Sequence, residues 1–168
     1  SPNPEDYPHT GSLRYALNVP KIPAAAIATN HADLLSRLLN DDPNLQFYLE
    51  MHCETLPDAP SFNVVGELRG TENPKQYIVV GGHLDSWDLG QGAHDDGAGC
   101  VQSIEVLRIL KALGYKPRYT IRAVMFMNEE NGLRGGLEYA RQAADCREVH
   151  IAAIESDRGG FVPRGFTV

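Results

Sequence analysis

The sequence predicts an α/β fold, with a mixed, largely parallel central sheet flanked by helices. Short apolar runs rich in Val and Ile alternate with helix-length amphipathic stretches, and Gly and Pro punctuate the joins. The chain has 168 residues, 42% of them hydrophobic and 22% charged, which suffices for one substantial core and argues against a disordered or collagen-like chain.

Residues 1–28 carry Pro2, Pro4, Pro8, Pro20 and Pro23, and that density disfavours a long helix in favour of extended or irregular chain. From Asn30, an Asn-x-x-Asp start leads into Leu34, Leu35, Leu38 and Leu39, a short amphipathic helix stopped by Asn40-Asp41-Asp42-Pro43. Phe47, Leu49 and Met51 alternate with Gln46, Tyr48 and Glu50, the period of a half-exposed strand. A turn at 56–60 and a second strand at about 62–69 then predict a hairpin.

The remainder reads as strand Tyr77 to Val80, helix Ala98 to Leu113, strand Ile121 to Met127, helix Leu133 to Ala144 and strand His150 to Ile154. Gly114 suits a helix C-terminus, with Pro117 as a stop. In the last helix Leu133, Leu137, Ala140 and Ala144 share one face.

Composition removes several function classes. A net charge of −7, with no Lys and Arg cluster interleaved with aromatics, offers no face for a phosphate backbone, so no nucleic-acid partner is expected, and bound cations suit that charge better. No apolar run reaches the roughly 20 residues needed to span a bilayer. Three widely spaced cysteines, Cys53, Cys100 and Cys146, indicate neither a disulfide framework nor a cysteine-zinc knuckle.

Chemistry-bearing residues collect at or just after predicted strand ends, where loops of an open α/β sheet converge. Val79-Val80-Gly81-Gly82 runs into His83-Leu84-Asp85, where Asp85 is placed to orient the imidazole. Asp95 and Asp96 open the first core helix, Asn128-Glu129-Glu130-Asn131-Gly132 follows the next strand, and Glu155-Ser156-Asp157 the last. Each has a bland reading alone: a polar residue after a strand, carboxylates facing a helix dipole, a turn acid. Together they supply imidazole and carboxylate ligands for metal, plus a second carboxylate free to take a proton. No Gly-x-Ser-x-Gly elbow or Cys-His nucleophile pair competes.

In order and spacing, Gly82-His83-Leu84-Asp85-Ser86, Asp95-Asp96-Gly97, Glu129-Glu130 and Glu155-Ser156-Asp157 resemble the co-catalytic di-zinc aminopeptidase family. The longer run from Gly82 through Trp87-Asp88-Leu89-Gly90-Gln91-Gly92 is similar to its carboxypeptidase Q (plasma glutamate carboxypeptidase) branch. Thr10-Gly11-Ser12-Leu13-Arg14-Tyr15 and the stretch 19–25 resemble the end of a protease-associated segment inserted before the catalytic core. The resemblance implies that residues 1–45 close that segment and carry the short helix, and that 46–168 form part of a zinc-exopeptidase-like catalytic domain, incomplete at the C-terminus.

It further implies two zinc ions: His83, Asp95 and Asp157 on one, with Asp95 bridging to a second held by Glu130. Glu129 becomes general base and then acid, Asp85 braces His83, and the Asp95-Asp96 peptide is cis. A fifth ligand, a second His, is expected beyond Val168, because His150 falls too early within a strand, and the chain reads as a fragment lacking parts at both ends. Alone it is expected to hold at most one zinc firmly and to hydrolyse peptides poorly. The implied substrate is a dipeptide or a peptide N-terminus, in a secreted or periplasmic protein, with homodimerisation open. Two alternatives on the same fold are an interaction domain without catalysis and a single-zinc acyltransferase similar to glutaminyl cyclase.

Overall fold

The computed structural model describes residues 6–8, 13–157 and 159–167. Pro2 and Pro4, and Thr10, Gly11 and Ser12 of the inserted-segment motif, lie outside the described residues. The chain divides into two compact units, Ser1–Pro60 and Ser61–Val168.

In the first unit, residues 13–28 carry no helix or strand, and helix α1 spans Thr29–Asp41. Its cap is Ala28, whose carbonyl receives the Ala32 N–H, so Asn30 sits inside the first turn and does not cap it. The Asn30 amide instead reaches the Asp6 carboxylate at 3.3 Å. Residues 45–60 contain no strand, although Phe47, Leu49 and Met51 alternate as one would. Alternation makes a strand only when a partner supplies the ladder bonds, and no described strand pairs with this stretch.

The second unit is a four-stranded sheet in the order β1-β3-β2-β4. Strand β1 (Val64–Leu68) pairs antiparallel with β3 (Tyr119–Phe126), which replaces the expected hairpin. Strands β2 (Asn73–His83) and β4 (Val149–Glu155) run parallel to β3, so the sheet is mixed but largely parallel, as predicted. Helix α2 (Ala98–Ala112) connects β2 to β3, and α3 (Arg134–Asp145) connects β3 to β4.

Alternation along β3 divides the two faces. Ala123 and Met125 pack with Cys100 of α2, flanked by Val80 and Leu107. On the opposite face Phe126 meets the Tyr139 ring of α3 edge-on, and the buried Arg122 hydrogen-bonds the Tyr139 hydroxyl at 2.8 Å. Helix α2 closes as Gly114 predicted, with Gly114 N–H to Lys111 and Tyr115 N–H to Leu110, the paired bonds of a Schellman cap. The face shared by Leu133, Leu137, Ala140 and Ala144 is the exposed side of helix α3. Ala143 is buried and Tyr139 half-buried, whereas Leu137 is 64% exposed and Leu133 53%. The Tyr139 aromatic contacts fix that rotation, and the leucine face turns outward.

Candidate metal centre

Parallel pairing brings the carboxyl ends of three strands to one edge. Gly81 of β2 is level with Glu155 of β4, and His83 with Phe126 of β3. Backbone bonds continue that alignment past the strands, from Leu84 N–H to Phe126 and from Ser156 N–H to Gly81. Residues widely separated in sequence therefore reach one crevice.

His83 is 2% exposed at the end of β2. Gly82 permits this, because a Cβ there would collide with the Asp96 carboxylate and the start of α2, 2.7 Å from the Cys100 nitrogen. The imidazole Nδ1 lies 2.9 Å from the Asp85 carbonyl, an acceptor only, so Nδ1 donates there and Nε2 is the nitrogen turned to the crevice. Around Nε2 stand Asp95 Oδ1 at 3.0 Å, Asp157 Oδ1 at 3.6 Å and Glu129 Oε2 at 4.0 Å. Burial works to lower the His83 pKa. The Asp85 carbonyl, the Asp95 carboxylate and the charges of Glu129 and Asp96 outweigh it, and the imidazole ends above its ordinary value. That balance reports a concentrated negative potential.

Asp85 supports the site in two ways. Its backbone carbonyl holds His83, while its carboxylate receives the Glu129 N–H at 2.9 Å and the Glu130 N–H at 3.2 Å. The carboxylate is 3.8 Å from Nδ1, so its principal bonds go to the glutamate pair. Asp96 divides the work differently from its neighbour. Across a cis Asp95-Asp96 peptide, Asp96 is fully buried, accepting from His83 N–H and Gly99 N–H at 3.0 Å each. It fastens β2 to the start of α2 while Asp95 points at the imidazole. Burial raises the Asp96 pKa against the pull of those two amides.

Among the described residues, His83, Asp95 and Glu130 bring ligand atoms within 4.8 Å of one another, and His83, Asp96 and Asp157 form a second such group. Both Asp96 oxygens already receive backbone amides, which leaves Asp95 the less committed of the two. Glu130 Oε1 is buried without a hydrogen-bond partner, and its pKa is raised by burial and then by the Asp95 charge. A buried, unpartnered carboxylate oxygen in a crowd of like charge is what a cation would satisfy, so the donor set fits a metal. Cys100 takes no part as a ligand, since burial pushes its thiol up to about 11 and its Sγ lies 3.1 Å from the His83 carbonyl, as donor. All three cysteines are free.

The profile of peptidase family M28 matches residues 63–165, more than half of the sequence. The chain belongs to peptidase family M28. Within that family it is similar to carboxypeptidase Q of Bos taurus and of Homo sapiens, each 42% identical over 158 residues, 94% of this chain and 34% of theirs. It also resembles the solved M28 peptidase precursor of Shewanella amazonensis SB2B, with 38% identity, a TM-score of 0.79, and coverage of 92% of this chain and 35% of that one. The chain thus spans about a third of the length of the curated relatives it matches.

Two supports of the candidate site were not legible in motifs. Asn63 and Gln102 each touch a loop that carries candidate ligands, through side-chain amides far away in sequence. His150, set aside as a ligand, hydrogen-bonds Tyr139 and stacks on Tyr77 in the cluster around Arg122. No helix among the described residues is long and apolar enough to cross a membrane.

Proposed function

We propose that the protein is a zinc-dependent exopeptidase that hydrolyses dipeptides or releases N-terminal residues, with Glu129 as the general base. The observation that carries this reading is the grouping of His83, Asp95 and Glu130 around a buried, unpartnered Glu130 oxygen, with Glu129 Oε2 4.0 Å from His83 Nε2. His83, Asp95 and Asp157 would hold one zinc, and Asp95 and Glu130 a second. When bound, such ions supply Lewis-acid polarisation and a more acidic water near neutral pH.

The chain's own residues divide the remaining tasks. Asp85 receives both glutamate amides, so Glu129 and Glu130 are presented as a fixed pair. One can then serve as ligand while the other takes a proton from the attacking water and returns it to the leaving amine. Membership of M28 and the likeness to carboxypeptidase Q support the reaction class. A secreted or periplasmic location belongs to the same proposal, on the resemblance alone.

The test is Glu129→Gln in the full-length protein. Turnover of a dipeptide series is expected to fall ~10²–10⁴-fold, with zinc content unchanged. Unaltered turnover would remove Glu129 from its assigned role, and a stoichiometry of one zinc would favour the single-zinc acyltransferase reading.

A further inference from the structure

We propose that Asn63 is a positioning residue for Glu129 and Glu130, a role that rests on the assignment of those two glutamates as base and ligand. The loop from Met127 to Gly135 closes an internal turn, Leu133 N–H to the Glu129 carbonyl at 3.2 Å, around strained backbone. Asn128 and Leu133 both take positive φ, 63° and 58°. For Leu that is an unfavourable conformation, and it persists only where the surroundings over-determine it.

Two clamps do so. At the tip, the Asp85 carboxylate takes the amides of Glu129 and Glu130. At the base, Gly135 N–H reaches the Met127 carbonyl at 2.9 Å, and the Asn63 carboxamide closes the same pair from the side. Asn63 Oδ1 accepts from Met127 N–H at 2.9 Å, while its Nδ2 donates to the Gly135 carbonyl at 2.8 Å. The β1–β3 register explains why this residue can reach. Val64 lies opposite Met125, so the position before β1 falls beside the end of β3.

The demand on residue type is narrow. One short, planar side chain must accept at one end and donate at the other, which is the property of a carboxamide and not of Asp, Ser or Leu. A Cβ at Gly135 would meet Met127 and the Asn63 oxygen, so the contact leaves no slack. Asn63 is half-buried, and no metal-ligand pattern includes it. Its effect on chemistry runs entirely through the loop.

The experiment compares Asn63→Ala, Asn63→Asp and Thr120→Val in the full-length, zinc-loaded protein. Thr120 makes two comparable bonds at the opposite end of β3, to Gly70 N–H and the Pro74 carbonyl, so it controls for stability alone. Asn63→Ala is expected to lower kcat roughly 10–100-fold with KM nearly constant, and to weaken one of two zinc affinities by a similar factor. Thr120→Val is expected to lower Tm without either change. Asn63→Asp keeps the acceptor for Met127 and is expected to fall between Asn63→Ala and the parent; it carries the test should Asn63→Ala not fold.

Retention of kcat and of both zinc affinities within about twofold in the Asn63 variants, with Glu129→Gln inactive, would overturn the role. If Glu129→Gln stays active, it is the function that fails. Zinc affinity, which needs no turnover, then decides Asn63 by itself.

Discussion

The loop that carries Glu129 and Glu130 joins β3 to α3, two elements packed on each other, whereas Asp157 follows an edge strand whose seven residues are all exposed. The first loop is held at its base by Asn63 and Gly135 and at its tip by Asp85. The second is tied by Ser156 N–H to Gly81, and by Gln102, which accepts from the Ser156 hydroxyl at 2.8 Å and donates to the Gly159 carbonyl at 2.5 Å. Side-chain exposure follows the same order, 33% for Glu129 and 41% for Asp157. The loop of the two glutamates, to which the proposed function gives metal and proton, is thus fastened at more points by named hydrogen bonds than the segment of Asp157, to which it gives metal alone. A base displaced by 1 Å loses rate steeply, while a ligand can follow its ion.

Four measurements would break or sharpen that contrast. The largest expected effect is from Asp85→Ala, which frees both glutamate amides while leaving the His83-binding carbonyl in place. Activity is expected to fall about 10–100-fold, and Asp85→Asn, which keeps one good acceptor, should lose less. Equal losses in the two variants would mean that the carboxylate acts mainly through its charge on His83.

The next is Arg122→Met. The guanidinium is 10% exposed, joins Glu148 and Glu67, and lies 3.9 Å over the Tyr77 ring. Removing it strands Glu148 beside Tyr77, at about 3 kcal/mol, readable in urea unfolding. Since Glu148 immediately precedes β4, hydrogen exchange should rise there before it rises in the Glu129 loop.

The pH dependence of the same pair gives a smaller effect. The Arg122 hydrogen bond holds the Glu148 carboxyl below its ordinary range, against burial. A depressed carboxylate contributes stability that is fully present above the unfolded value, about 4.3, and is lost as pH falls through the lower folded value. The Tm gap between parent and Glu148→Gln should therefore be constant above about pH 5 and shrink below it. A gap that widens on acidification would reverse the assignment.

The smallest effect is expected for Gln102→Ala. It cuts two bonds on an exposed segment, so zinc affinity should fall less than about tenfold and stability by roughly 0.5 kcal/mol. A loss as large as that from Asp85→Ala would erase the contrast between the loops.

Much of this site was legible because its residues stand at predictable places. Runs such as Val79-Val80 and Ile121 to Met127 announce buried strands, and parallel strands must end at a common edge. The motifs His83-x-Asp85, Asp95-Asp96, Glu129-Glu130 and Asp157 therefore had to meet. Where the pattern misled, a partner had been assumed. Residues 47–51 alternate but carry no strand, and β1 pairs with β3 instead. The apolar stripe of α3 faces outward because Tyr139 docks on Arg122 and Phe126.

By itself the sequence determined the alternation of strands and helices from Tyr77 onward, the residue types that could bind a metal and the common edge at which they gather, since periodicity and residue chemistry are local properties. Only the tertiary structure decided that Asp96 is a buried fastener, that the Asp85 carboxylate serves the glutamate amides more than the imidazole, and that Asn63 closes the loop beneath them. Each of those is a hydrogen bond between groups far apart in the chain or turned by a single peptide unit. Such bonds are fixed by strand register and side-chain direction, quantities that residue spacing does not contain.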